Sequence, residues 1–343
     1  MRAVEKWLLV LSDPETPRQE FPTERLTPEE LVTLCALADF HGVSPGVCNK
    51  VEKLLAETPD RLISNLEGKK TFSTEMAAVR KRLTERFAMT MFLSAETRRL
   101  LKVLSTAGAE VIALKGMDFA TRLYTQPALR PFADIDLLTR RQDWDAIASA
   151  MSRLGYVERE TELKHATGYA ERTWENPAMP GAMVEVHDNL VNSPTIRRGV
   201  SVTLADVPLE KHTDGTMRPT AAGLLLIAAV HGAASHSFDK LQHLADVAQI
   251  ARQRAGAIDE NELKRAAEKT GAMFCIAMAL DLAARTFNDR ACAELLARLD
   301  PRWPRRRVRW LITPEVVARG QGPARKSASW RRQWLRQMLK SRR

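Results

Sequence analysis

Cysteine is scarce in this sequence, and no two cysteines are close together in the chain. The four are Cys35, Cys48, Cys275 and Cys292, and none has C-x-x-C spacing. This spacing indicates neither a disulfide framework nor a cysteine-ligated zinc site. Isolated thiols are typical of the reduced interior of a cytoplasmic protein, and we expect that location and four buried, reduced thiols here.

Long apolar runs are also missing. The longest covers residues 221–234, and about 14 residues are too few to span a bilayer, so we interpret it as a buried helix. The N-terminus has a short apolar run without a small-residue cleavage site. We therefore expect neither a secretory signal nor a transmembrane segment. At 343 residues, 45% of them hydrophobic, the chain has enough apolar material for two or three folded domains.

Acidic residues are nearly absent from residues 301–343. This tail contains 14 Lys and Arg residues and one acid, Glu315, so it carries +13 while the other 300 residues carry −3. The high pI is therefore no evidence that the folded body binds nucleic acid. On a helix, an apolar stripe would form from Trp330, Trp334, Leu335, Met338 and Leu339. Such a helix can dock on the body through its tryptophans, lie peripherally on an anionic membrane, or contact nucleic acid, and these alternatives stay open.

The periodicity of apolar residues divides the chain into four parts. Residues 1–106 show only helical periodicity, with a capping box at Thr27-Pro28-Glu29-Glu30. Between 107 and 215, short apolar strands alternate with helices, and the region from 216 to 300 is helical again. We predict an α+β protein with a helical N-terminal domain (1–106), a small mixed-sheet core (107–215), a helical C-terminal domain (216–300) and a basic amphipathic tail (301–343).

Two predicted strands carry acidic residues at alternate positions. Asp134 and Asp136 share one face of the strand at 132–139, and Glu185 and His187 share one face of the strand at 183–190. If the two strands are neighbours, three carboxylates lie together. Such a set binds hard cations, Mg²⁺ or alternatively Mn²⁺. The competing interpretation is a pair of half-exposed strands whose polar residues face solvent.

A glycine turn precedes the first acidic strand. Lys115-Gly116 lies between a predicted strand and a predicted helix at 117–124. Glycine lets backbone amides approach a phosphate, the helix N-terminus offers free N–H groups, and Lys115 adds positive charge. Arg130 precedes Asp134 by four residues. Its guanidinium can pair with phosphate or with Asp134, and both alternatives stay open.

Together these segments resemble the nucleotidyltransferase superfamily and, more narrowly, a bacterial family of uncharacterised nucleotidyltransferases. The matching motifs are Leu114-Lys115-Gly116, Leu123-Tyr124, Arg130, Asp134-Ile135-Asp136-Leu137-Leu138, Gly155-Tyr156 and Glu185-Val186-His187. Flanking helical motifs around His41-Gly42, in the helix with His231 and His236, and at Leu244-Ala245-Asp246 extend the resemblance to about residues 28–255. The wider superfamily usually has Gly-Ser at the turn, whereas this chain has Gly116-Met117 and lacks that hydroxyl.

The resemblance implies Mg²⁺-dependent transfer of a nucleotide from an NTP such as ATP to an acceptor, with pyrophosphate leaving. It implies catalytic and metal-binding roles for Asp134, Asp136 and Glu185. It implies nucleotide contacts by Lys115, Gly116, Arg130 and His187. The gene neighbourhoods of the family suggest a peptide, protein or carbohydrate acceptor. Two alternatives are a catalytically silent module that binds nucleotide, RNA or a partner, and phosphoryl transfer to a peptide.

Other histidines are outside this assignment. His231 and His236 are five residues apart on one predicted helix, which would place them on different faces, and we interpret His231 as a packing hydrogen bonder. His243 and Asp246, three residues apart, are expected to make a helix-stabilising contact. His165 is expected in a loop or beside the acidic strands.

Overall fold

The computed structural model of the chain describes residues 1–17, 19–64, 69–159, 168–212, 215–300, 306–320 and 330–340. Its N-terminal part is helical, as predicted, and consists of α1 (Ala3–Leu11), α2 (Pro28–Phe40), α3 (Ser44–Glu57), α4 (Pro59–Leu62) and α5 (Lys69–Thr106). The predicted capping box starts α2: Glu30 N donates to Thr27 Oγ1 at 3.2 Å, and Thr27 N donates to the Glu30 carboxylate at 2.9 Å. These bonds satisfy amides that have no partner within the helix.

A small mixed sheet follows. Its elements are β1 (Val111–Ala113), α6 (Gly116–Leu123), β2 (Ile135–Thr139), α7 (Trp144–Arg153), β3 (Val157–Arg159), β4 (Glu171–Glu175) and β5 (Met183–His187). The strand order is β1-β2-β5-β4-β3, with β2 and β5 parallel and the other pairs antiparallel. The predicted α+β class is confirmed. The strand predicted at 132–139 begins only at Ile135, so Asp134 lies in the bend before it.

Each face of the sheet packs against different helices. Ile135 and Leu137 of β2 and Val184 of β5 belong to a cluster with α5 and α7. Leu138, on the opposite face of β2, belongs to a larger cluster that includes the C-terminal helices. Because successive strand residues alternate between faces, Asp136 lies on the same side as Leu138. The acidic face of β2 is therefore turned toward the C-terminal helical region.

The remaining chain is mostly helical. The elements are β6 (Leu209–Lys211), β7 (Met217–Pro219), α8 (Ala221–Val230), α9 (Leu241–Ala251), α10 (Glu260–Thr270), α11 (Met273–Phe287), α12 (Arg290–Leu299), α13 (Arg306–Arg309), α14 (Pro314–Ala318) and α15 (Trp330–Leu339). A π-helical turn, His231–Ser235, directly continues α8. Every residue of α8 is buried, as predicted for the longest apolar run. In the described ranges, no helix combines the length and apolarity needed to cross a membrane.

The two helical regions share one hydrophobic core. Trp7 and Leu34 from the N-terminal helices and Leu225 and Leu280 from the C-terminal helices belong to the same buried cluster. The four cysteines are free and buried, as expected from their spacing. The sheet is thus held between α5 and α7 on one side and this shared core on the other.

The helix α15 docks on the body, but not through its tryptophans. Leu335 and Leu339 are buried, together with Arg332, whereas Trp330 and Trp334 are 54% and 61% exposed. The expectation that the tryptophans dock the helix is therefore wrong. The buried residues follow the spacing i, i+3, i+7, which is a complete helical face without the indole rings. Contact of these exposed rings with a membrane or nucleic acid stays a prediction.

Candidate active site

The two acidic strands are neighbours. In the parallel pair β2–β5, Asp136 is opposite Glu185 and Leu138 is opposite His187. His187 Nε2 lies 3.3 Å from Asp136 Oδ1 and 3.9 Å from Glu185 Oε2. One ligand atom from each of these three residues lies within 4.8 Å of the others. The register thus brings Asp136 and Glu185 together with His187, whereas Asp134, in the bend before β2, lies outside this group of ligand atoms.

Two cationic groups neutralise Asp136. Lys115 Nζ lies 2.9 Å from Asp136 Oδ2, and His187 approaches the other oxygen. Burial alone would raise the pKa of Asp136, but the charges of Lys115 and His187 hold it well below its usual range. Burial would lower the pKa of Lys115, and Asp136 raises it instead. Asp136 is therefore ionised at neutral pH and needs a cation beside it.

His187 has acceptors at both ring nitrogens. Its Nδ1 lies 3.1 Å from Asn192 Oδ1, and its Nε2 faces Asp136. Burial would lower the pKa of His187, but the hydrogen bond and charge of Asp136 raise it. A ring held between two acceptors favours the doubly protonated imidazolium. When doubly protonated, this ring adds positive charge beside Asp136.

The surroundings of the other two carboxylates, Asp134 and Glu185, disfavour their charged forms. The negative charge of Asp136, followed by burial, raises the pKa of Asp134. Burial, followed by the negative charges of Glu171 and Asp136, raises the pKa of Glu185 to about 7. The negative charges of these acids therefore repel one another. Cation binding would relieve this repulsion.

A cleft of about 340 Å³ opens beside Asp134 and Asp136, and its lining includes neither Glu185 nor His187. Its lining includes Lys115, Gly116, Asp134, Asp136 and His231. Gly116 begins α6 with φ +43°, and a Cβ there would lie 3.2 Å from the ring of Phe132. The first N–H groups of a helix lack partners within it, so the start of α6 offers donors at this cleft.

Arg130 has a partner that the sequence did not suggest. Its Nε and Nη2 each donate at 2.8 Å to the carboxylate of Asp246 in α9, and the Tyr124 hydroxyl donates to the same carboxylate at 2.8 Å. The structure thus pairs Arg130 with Asp246 and not with Asp134. Nucleotide contact by Arg130 stays a prediction. The guanidinium would have to make that contact while it is paired with Asp246. The expected contact between His243 and Asp246 is wrong, because Asp246 turns to these two partners.

Three histidines meet on the other side of Lys115. The ring centroids of His231 and His236 are 4.5 Å apart, and His243 lies 5.4 Å and 4.6 Å from them. The inference that His231 and His236 occupy different faces is wrong, because the π-helical turn aligns residues five apart. Lys115 Nζ lies 3.3 Å from His231 Nε2, so this cluster adjoins the carboxylates. Burial lowers the pKa of both His231 and His243 well below the usual value. His165 lies outside the described residues.

The motif around His41 holds the start of α9. Nε2 of the His41 ring donates to Ala318 O at 3.1 Å, and Nδ1 accepts from Leu241 N at 3.3 Å. The Gln242 amide donates to Gly42 O at 3.2 Å and to Pro131 O at 2.9 Å. Burial lowers the pKa of His41 to about 4, so the ring is neutral. This N-terminal segment therefore connects α9 with the loop that precedes the acidic strand.

Comparison with protein families places the chain beside a known family. The family model for uncharacterised nucleotidyltransferases matches residues 27–288. This range contains the sheet, the cleft and both flanking helical motifs, and it extends the resemblance from about residue 255 through α11. A comparison with curated proteins finds no match.

Proposed function

The chain belongs to the uncharacterised nucleotidyltransferase family, and on that basis we propose that it transfers a nucleotide from an NTP, such as ATP, to an acceptor in a Mg²⁺-dependent reaction. The observation that carries this proposal is the pairing of Asp136 with Glu185 on neighbouring strands, with Asp134 just before the first of them. Lys115 and Gly116 lie at the same cleft. The proposed acceptor is a hydroxyl of a peptide, a protein or a carbohydrate.

The donor set fits a hard cation. Asp134, Asp136 and Glu185 offer carboxylate oxygens, which Mg²⁺ prefers, and Mn²⁺ accepts the same ligands. Asp136 is already paired with Lys115 and His187, which shows that this position requires positive charge. When bound, the metal would neutralise phosphate charge and lower the pKa of the acceptor hydroxyl.

The protein groups have separable roles in the proposed reaction. Lys115 and the first amides of α6, beginning at Gly116, would hold the triphosphate. The acceptor oxygen would attack the α-phosphorus, the bond to the bridging oxygen would break, and pyrophosphate would leave. Glu185 or Asp136 would take the proton of the acceptor hydroxyl as the metal lowers its pKa.

Calorimetric titration with non-hydrolysable NTPs, with and without MgCl₂, tests the site. We expect Mg²⁺-dependent binding by the full chain and its loss in Asp134→Asn and Asp136→Asn. Asp145→Asn, an exposed acid at the start of α7, is the matched control and should bind normally. Equal NTP binding by wild type and Asp136→Asn would overturn the proposal.

Product analysis separates the proposal from its alternatives. Release of pyrophosphate with label transferred from an α-³²P NTP supports nucleotidyl transfer. Release of ADP with transfer from the γ-phosphate would indicate phosphoryl transfer to a peptide. Metal-independent binding without turnover would indicate a silent module for nucleotide, RNA or a partner.

A further inference from the structure

We propose that His231, His236 and His243 form a binding site for a transition metal ion of the Zn²⁺ type, separate from the carboxylate cluster. This inference goes beyond the nucleotidyl transfer proposed above and does not depend on it. It rests on the placement of the three rings, on the groups behind them and on the backbone that carries them.

The rings are close enough to share one ion. One nitrogen from each of the three histidines lies within 4.8 Å of the others. At a Zn–N distance of about 2.0–2.1 Å, nitrogens in a tetrahedral site are about 3.4 Å apart. Rotations of the rings that move each nitrogen by about 1 Å would bring the nitrogens to this separation. Asp136, Glu185 and His187 form the other such group found in the described ranges.

A carboxylate lies behind two of the rings. Asp239 Oδ1 is 3.5 Å from His236 Nδ1 and 3.8 Å from His243 Nδ1. Neither distance is that of a hydrogen bond, but a small shift of either ring would form one, and a carboxylate bonded to Nδ1 is typical of histidine ligands that bind a metal through Nε2. In this structure Asp239 Oδ1 and His243 Nδ1 are buried without a hydrogen-bond partner. Buried polar atoms of this kind call for an explanation, and a metal that draws the rings together supplies one.

The backbone adopts costly conformations to bring the rings together. The π-helical turn His231–Ser235 aligns the first two histidines. Ser237 and Phe238 follow it with φ values of 51° and 53°, a region that non-glycine residues rarely occupy. Residues in this region and π-helical turns both cluster at functional sites. Phe238 is fully buried, and Arg332 Nε donates to Ser237 O at 3.2 Å, which hold this geometry in place.

The ligand type distinguishes this site from the carboxylate cluster. Three imidazoles suit Zn²⁺ and similar transition metals, whereas Mg²⁺ prefers oxygen ligands. Lys115 lies between the two clusters, 2.9 Å from Asp136 and 3.3 Å from His231. A metal bound to His231 would displace the Lys115 amine from the ring. The amine would stay paired with Asp136, whose negative charge offsets its positive charge.

Cobalt titration of the untagged, chelator-treated full chain tests the inference. Co²⁺ bound in a tetrahedral site absorbs visible light, and we expect one equivalent per chain that Zn²⁺ displaces. His236→Gln should weaken Co²⁺ binding by about 10-fold or more, because one of three ligands is lost. The side chain of His236 is 35% exposed, so this variant is the least disruptive of the three.

Two controls keep the result specific. His212→Gln, which changes a histidine outside the cluster, and Asp134→Asn, which changes the carboxylate site, should both leave Co²⁺ binding unchanged. Zn²⁺ should raise the melting temperature of wild type and of both controls more than that of His236→Gln. The inference is overturned if wild type shows no saturable absorption, or if His236→Gln binds like wild type. Loss of binding in Asp134→Asn would also overturn it, by placing the metal at the carboxylates. Loss of NTP binding alone would affect only the proposed function.

Discussion

Arg130 and Asp246 form a buried, two-pronged ion pair across 116 positions of the chain. The Tyr124 hydroxyl completes the partners of the same carboxylate. The pair fixes the loop before β2 to α9 and so positions the acidic strand beneath the C-terminal helices. The family motifs at Tyr124, Arg130 and Asp246 therefore have a common structural role.

Removing Asp246 should be far more damaging than removing an exposed partner. In Asp246→Ala the guanidinium of Arg130 stays buried without a counter-charge, and we expect a loss of about 3–5 kcal/mol in the free energy of unfolding. Glu294→Ala, which breaks an exposed pair with Arg290, should cost less than about 1 kcal/mol. Urea denaturation measures both. Equal losses in the two variants would show that the buried pair of Asp246 contributes no more to stability than an exposed pair.

The turn at Gly116 should not tolerate a side chain. Its φ of +43° and the 3.2 Å approach of a Cβ to Phe132 both disfavour alanine. We expect Gly116→Ala to lower the free energy of unfolding by about 1–2 kcal/mol and to weaken NTP binding.

Gly46→Ala is the matched control for this turn. Gly46 lies in α3 without positive φ, and a Cβ there meets nothing within 4 Å. Alanine at this helical position should therefore stabilise the protein slightly. Denaturation and calorimetry on both variants test the pair, and unchanged NTP binding in Gly116→Ala would argue against a phosphate contact at the turn.

Glu185 should make the metal-free protein less stable as pH rises. Its pKa in the folded protein is about 7, against an ordinary value of 4.5. Between these values the unfolded chain has lost a proton that the folded protein keeps, so stability falls as pH increases. Glu185→Gln cannot lose this proton. Relative to wild type, the variant should therefore gain about 3 kcal/mol between pH 4.5 and 8.

Urea unfolding in EDTA at several pH values measures this difference. Parallel pH profiles for wild type and Glu185→Gln would contradict it. If the proposed metal site is correct, Mg²⁺ at pH 8 should stabilise wild type and not Glu185→Gln, because the ion relieves the carboxylate repulsion only where the carboxylate is present.

Two neighbouring residues of α15 should respond in opposite ways. Leu335 is fully buried, and Leu335→Ala should cost about 2–5 kcal/mol through lost packing. Trp334 is 61% exposed, and Trp334→Ala should change stability by no more than about 0.5 kcal/mol. Thermal unfolding of both variants provides the measurement. A larger loss in Trp334→Ala would restore the interpretation in which tryptophan docks the helix.

Short-range pattern predicted the acidic face of the sheet well. Alternation placed Asp136 away from the apolar residues beside it, and the same alternation placed Glu185 with His187. The capping box at Thr27 marked the start of α2 correctly. These features depend on neighbouring residues, so a single sequence contains the signal. Alternation within one strand cannot show which strands are neighbours. The structure pairs β2 with β5.

Features that depend on distant or unusual geometry were missed. Nothing in the periodicity signals that α8 continues as a π-helical turn, so His231 and His236 were placed on different faces. The partner of Arg130 is 116 positions away, and no local spacing could identify it. The apolar stripe of α15 does not show which of its residues enter the core, and the structure buries Leu335 and leaves Trp334 exposed.

The contacts between α15 and residues 231–238, which contain His231 and His236, have a consequence for synthesis on the ribosome. Arg332 and Arg336 donate to the carbonyls of Ser237 and Ser235, which precede them by 95 and 101 residues. At about 5–20 residues per second, the nascent loop waits roughly 5–20 s for these donors. The carboxylates of the sheet are translated well before that interval ends. A newly made chain therefore has its acidic strands before residues 231–238 are fixed, and binding of a metal at the proposed histidine site would follow translation.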